Sequence, residues 1–143
     1  ATLSDIERAI ETAAFSEDLK RMPDGLETLI GERGVSISGG QKQRISLARA
    51  FIRQPEVLIL DDSLSAVDAQ TERRIIQNIQ KLRANQTTII VTHRLSAIQK
   101  ADWVLVLEGG QIIEEGTPNQ LLNKGGWYAE QYQRQQHQKG GSE

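Results

Sequence analysis

The chain sets a serine and a glycine pair, Ser38-Gly39-Gly40-Gln41-Lys42-Gln43, ahead of an unbroken apolar run that ends in two acids, Val57-Leu58-Ile59-Leu60-Asp61-Asp62. That order constrains the fold more than any other stretch. The glycine pair predicts a helix start, with a helix over about 39–53 and Ile45, Ala48, Phe51 and Ile52 on its inner face; Pro55 lies beyond its end. Residues 57–60 are continuously apolar rather than alternating, the pattern of a strand buried on both faces. Acids at the C-terminal end of such a strand stand where α/β sheets place their ligands. A helix N-terminus, for its part, offers N–H groups and a positive dipole end to an anion.

The remaining pattern predicts an α/β fold of helices layered on a mainly parallel sheet. Ser4 and Glu7 have capping-box spacing, ahead of a stripe of Ile6, Ile10, Ala13 and Ala14. A second short helix capped by Ser16 runs through Leu19 and Met22 and stops at Pro23-Asp24-Gly25, and residues 31–34 read as a loop. A helix over 71–84 turns Ile75, Ile76, Ile79 and Leu82 inward, and 87–92 reads as a second buried strand. A short helix near 96–100 leads to a third strand over 103–108, and Gly109-Gly110 turns it into 111–115. Thr117-Pro118 opens a helix under Leu121 and Leu122. A last helix covers 127–136, and 137–143 reads as a frayed polar tail. The segments group as 1–54, 55–136 and 137–143, with no internal repeat.

Composition narrows the function classes. With 143 residues, 38% hydrophobic and 25% charged, the chain is sized for one soluble domain with a modest core. A net charge of −2 argues against nucleic acid as a partner, since that binding rests on phosphate neutralisation. The lack of cysteine excludes a disulfide framework and a cysteine-ligated zinc site. No apolar run is long enough to span a bilayer, so a membrane role requires a partner segment. Ala1-Thr2-Leu3-Ser4-Asp5 has no signal-peptide character and reads as an internal cut.

An isolated Ser-Gly-Gly is ordinarily just a helix cap. Here it continues through Gln41-Lys42-Gln43-Arg44-Ile45-Ser46-Leu47-Ala48-Arg49-Ala50, and Val57 to Asp62 is followed by Ser63-Leu64-Ser65-Ala66-Val67-Asp68. These segments resemble the signature motif, Walker B strand and D-loop of the ATP-binding cassette family, exporter or multidrug type. Ile37 stands where the family usually has Leu. The resemblance implies a partial phosphate-loop NTPase fold joined to the end of a helical subdomain, with ATP and Mg²⁺ as cofactors. It implies that Ser38, Gly39, Gly40 and Gln41 bind the γ-phosphate of ATP held on a second, facing nucleotide-binding domain. Asp61 would hold Mg²⁺, and Ser65 and Asp68 would lie in the loop joining the two sites. His93, after the strand at 87–92, resembles the family's switch histidine; a structural, hydrogen-bonded histidine is the plain reading. No G-x-x-x-x-G-K-[ST] loop occurs: the nearest look-alike, Gly34 to Gly39, runs into Gly40-Gln41 and has no lysine. The chain therefore reads as the C-terminal part of such a domain, inactive alone. Its missing N-terminal lobe would leave sheet edges exposed.

Asp62 departs from the family, in which Glu usually orients the attacking water. Aspartate falls roughly 1–1.5 Å short of the same spot, and a misplacement of about 1 Å costs on the order of 10²-fold in rate. The site using Asp62 is thus expected to hydrolyse ATP slowly or mainly to bind it, as in one half of a heterodimeric exporter. A homodimer that tolerates Asp is the alternative. Glu32 and Arg33 resemble the loop that touches transmembrane domains, although Leu29 stands where an acid is usual; otherwise they form a solvated turn. This implies a place at the cytoplasmic face of the cell membrane. Asp68 also reads simply as a helix cap, and Trp103, Trp127 and Tyr128 as packing residues; His137 carries no role. Competing readings are a soluble cassette ATPase of DNA maintenance and a non-catalytic interaction module.

Overall fold

Thr2, rather than Ser4, opens the first helix in the computed structural model, which describes residues 1–140. The Thr2 hydroxyl accepts from the Asp5 N–H at 3.2 Å and the Asp5 carboxylate accepts from the Thr2 N–H at 2.8 Å. The helix starts early enough that Asp5, not Glu7, occupies the third position of the capping box. The chain forms two units, Ala1–Thr92 and a second that begins at His93.

In the first unit, α1 (Leu3–Thr12) packs on α3 (Gly39–Ile52) and α4 (Ala69–Leu82). The short α2 (Ser16–Lys20) takes Phe15 as its N-cap without a side-chain bond, so Ser16 is not the cap. Two parallel strands, β1 (Val57–Asp61) and β2 (Thr87–Val91), pair in register from Val57 with Thr87 to Asp61 with Val91. The predicted burial on both faces is corrected here. Leu58 and Leu60 are buried, but Val57 and Ile59 are 53% and 63% exposed, and Ile89 and Val91 lie open as well. One face of the pair is covered and the other is not, among the described residues. Leu82, predicted inward, is also exposed.

Arg83 ties the two strand starts together. It is buried, and its guanidinium donates to the carbonyls of Pro55 at 2.8 Å and Thr87 at 3.0 Å and to the Thr88 hydroxyl at 3.0 Å. Five fixed donors on a planar fork suit this use.

The second unit is built on an antiparallel hairpin, β3 (Val104–Glu108) and β4 (Gln111–Gly116). Gly109 and Gly110 both take positive φ, +56° and +77°, which the two-residue turn requires. Thr117 caps α5 (Pro118–Lys124) with proline at its first turn, as predicted. Leu95, Val104, Val106, Leu121 and Tyr128 form the core. Trp103 and Trp127, expected to pack, are instead 55% and 42% exposed. The helix expected at 96–100 is a single 3₁₀ turn, Leu95–Ala97. The last helix, α6 (Trp127–Gly140), continues through His137, where a frayed tail was expected; 141–143 lie outside the described residues. Glu114 is buried, and its Oε2 accepts from the Tyr128 N–H at 2.9 Å. Negative charge at a helix N-terminus is favourable.

Candidate functional site

Ser38 caps α3, the plain reading of its Ser-Gly-Gly. Its hydroxyl accepts from the Gln41 N–H at 3.1 Å, and the Gln41 side chain accepts from the Ser38 N–H at 2.8 Å. The Gln41 amide then donates to Asp18 at 2.8 Å, and Asp18 accepts from Arg44 at 2.6 Å. Arg44 also donates to the Ala14 carbonyl and lies 5.5 Å over the Phe15 ring. Partial burial works to raise the Asp18 carboxyl, yet hydrogen bonds from Arg44 and Gln41 and the Arg44 charge hold it below its ordinary value. The helix start is thus braced from behind, while Ser38 and Gly39 remain exposed.

The turn after β1 lies against this helix start. A β-carbon on Gly40 would meet the Ala66 carbonyl oxygen at 2.7 Å, whereas one on Gly39 would make an ordinary 3.5 Å contact with Ala66. Gln43 fastens the two segments. Its Nε2 donates to the Ser65 hydroxyl at 2.8 Å and to the Asp62 carbonyl at 3.4 Å, and its Oε1 accepts from the Ala66 N–H at 2.8 Å. Asp62 sits in the left-handed region at φ +50°, uncommon for a residue with a side chain, and its N–H donates to the Val91 carbonyl at 3.0 Å.

Asp61 and Asp62 both point exposed carboxylates from the end of β1. Among the described residues no group of three or more His, Cys, Asp or Glu gathers. A magnesium ion commonly uses one or two carboxylates with substrate phosphates and water, so Asp61 fits that donor set. Asp68 caps α4, accepting from the Gln70 and Thr71 N–H groups at 3.1 and 2.9 Å. The Thr71 backbone bond chiefly holds its carboxyl below the ordinary value.

Structure brings Ser38, Gly39, Gly40, Asp62, Ser65 and Ala66 together within one unit. His93 belongs to the other, with its side chain exposed. Its carbonyl accepts from the Gln135 amide at 2.9 Å, and the same amide accepts from the Leu95 N–H at 2.9 Å. Glu32 and Arg33 ride an exposed turn of their own, closed by the Ile30–Val35 bridge. Sequence reasoning missed Gln43 and Gln135, because a helical glutamine has no pattern that distinguishes a clamp from a solvated surface.

A glycine-opened helix packed on the turn of an acid-tipped parallel strand defines part of a phosphate-loop NTPase-type α/β domain. Residues 3–65 match the family described as ABC transporter. The matched stretch holds the Ser38-capped helix start, β1 and the beginning of the turn that follows it. The chain is 59% identical over 136 residues, 95% of its own length, to the "Probable multidrug resistance ABC transporter ATP-binding/permease protein YheI" of Bacillus subtilis. It is 47% identical over 135 residues to the ATP-dependent lipid A-core flippase of a Shewanella species, covering 94% of this chain. A solved bacterial Atm1-family ABC exporter with ATP bound aligns with a TM-score of 0.85 and 38% identity over 94% of this chain. The chain spans 23%, 22% and 24% of those three, under a quarter of each.

Proposed function

We propose that the chain is the C-terminal part of the ATP-binding and hydrolysing domain of an exporter, coupling ATP binding and hydrolysis to transmembrane transport. The observation that carries this reading is the packing of Gly40 on the turn between Asp62 and Asp68, which sets an anion-attracting helix start beside two strand-end carboxylates. In this reading Ser38, Gly39, Gly40 and Gln41 meet the γ-phosphate of ATP held by a second nucleotide-binding domain. Asp61 holds Mg²⁺ through water; that ion, when bound, neutralises phosphate charge. Asp62 orients the attacking water, and His93 contacts the γ-phosphate. Ser65 and Asp68 lie in the loop between the two sites, and Glu32 and Arg33 meet the transmembrane domains at the cytoplasmic face of the membrane. The 143 residues include no phosphate-loop lysine, so the chain alone does not turn ATP over.

Steady-state ATP turnover of the full-length protein tests this. Asp62→Asn abolishes turnover at the site that uses it, and Asp62→Glu raises the rate by lengthening the base. Turnover unchanged by both substitutions excludes Asp62 as the water-orienting group. A heterodimer with one weak site is the partner arrangement that Asp62 favours.

A further inference from the structure

The turn that carries His93 is held by a residue far along the chain. Gln135 reaches it from α6 with both ends of its amide. Nε2 donates to the His93 carbonyl at 2.9 Å, and Oε1 accepts from the Leu95 N–H at 2.9 Å. These two bonds fix the peptide planes on either side of Arg94, and so the direction in which His93 leaves the backbone. The imidazole itself stays exposed.

Gln135 is held firmly enough to do this. Tyr128, Tyr132 and Gln135 follow the spacing of one helix face. Tyr128 is 1% exposed in the core that includes Leu95, and Tyr132 packs against the same core. The first turn of α6 is tied to the hairpin by the Glu114 carboxylate on the Tyr128 N–H. Beneath the turn, the 3₁₀ bonds from Ala97 to Arg94 and from Ile98 to Leu95 fix only its second half.

We infer that Gln135 is a positioning residue for His93, setting the histidine backbone from the C-terminal helix while leaving its ring open to ligand. This inference rests on the phosphate-contacting role proposed for His93. A displaced imidazole loses rate steeply, since about 1 Å costs on the order of 10²-fold. A glutamine-to-alanine change that only loosens the turn costs less.

The test uses the full-length protein with Gln135→Ala, His93→Ala and the double variant. Two readouts are taken, ATP turnover and hydrogen–deuterium exchange of the peptide containing Leu95. Gln135→Ala is expected to speed exchange at Leu95 and to lower kcat about tenfold, with KM for ATP within about twofold. In the His93→Ala background, Gln135→Ala is expected to lower turnover no further, because it acts only through the histidine. Gln135→Glu keeps the acceptor for Leu95 but loses the donor to His93. It is expected to preserve Leu95 protection and still lower kcat. Unchanged Leu95 exchange in Gln135→Ala overturns the clamp itself. Faster exchange with unchanged kcat, or an additive loss in the double variant, overturns positioning and leaves a merely structural contact. Wild-type turnover in His93→Ala overturns the histidine role and the inference with it, separately from the exchange result.

Discussion

Gly40 and the carbonyl of Ala66 approach so closely that a β-carbon would stand 2.7 Å from the oxygen. The opposing atom is backbone and cannot swing aside. Gly40→Ala must therefore push the Asp62–Asp68 turn off the helix, at a cost of roughly 1–3 kcal/mol. Gly39→Ala, with a 3.5 Å contact, should fit. Urea unfolding midpoints of the two variants check this; equal midpoints would sink the argument.

Arg83→Met is expected to cost roughly 3 kcal/mol, because the Pro55 and Thr87 carbonyls lose their buried donor together. The measurement is chemical denaturation against wild type. A loss within about 0.5 kcal/mol would mean that water replaces the guanidinium freely.

Asp18 predicts a pH dependence. Its folded carboxyl titrates below the ordinary value of 3.8, so its contribution is fully present above that value. The contribution disappears as pH falls through the lower folded value. Asp18→Asn should accordingly lose stability near neutrality and show a flatter decline below about pH 4. Parallel pH profiles for variant and wild type would contradict the ion pair with Arg44.

The 143-residue chain titrated calorimetrically with ATP and Mg²⁺ should give no detectable heat of binding, since it has no lysine-bearing phosphate loop. Micromolar binding would mean that the α3 start and Asp61 form a nucleotide site unaided.

Local backbone chemistry was the most legible part of the chain. Gly109-Gly110 and Thr117-Pro118 announce their turn and helix start because those conformations depend on the residues themselves. Strand positions were legible too, but their cover was not. An apolar run such as Val57 to Leu60 reports a need for burial, not whether the same chain supplies it. At the candidate site, the string from Ser38 to Arg44 stood out. The Gln43 amide did not, because its partners Ser65 and Ala66 arrive only through the packing of a distant loop. Nothing in the sequence around Glu114 and Arg83 marks them as buried, for the same reason. Nothing in α6, with Gln131, Gln133, Gln135 and Gln136 in one stretch, singled out the glutamine that holds the His93 turn.

The open face of the β1–β2 pair bears on how the chain behaves at the bench. Val57, Ile59, Ile89 and Val91 set four branched aliphatic side chains toward water on neighbouring strands. Sulfate and phosphate are excluded from such surfaces and make their exposure more costly. With only −2 net charge to keep molecules apart, the chain should salt out at low ammonium sulfate. Replacing Ile59 and Ile89 with threonine should move that precipitation point upward.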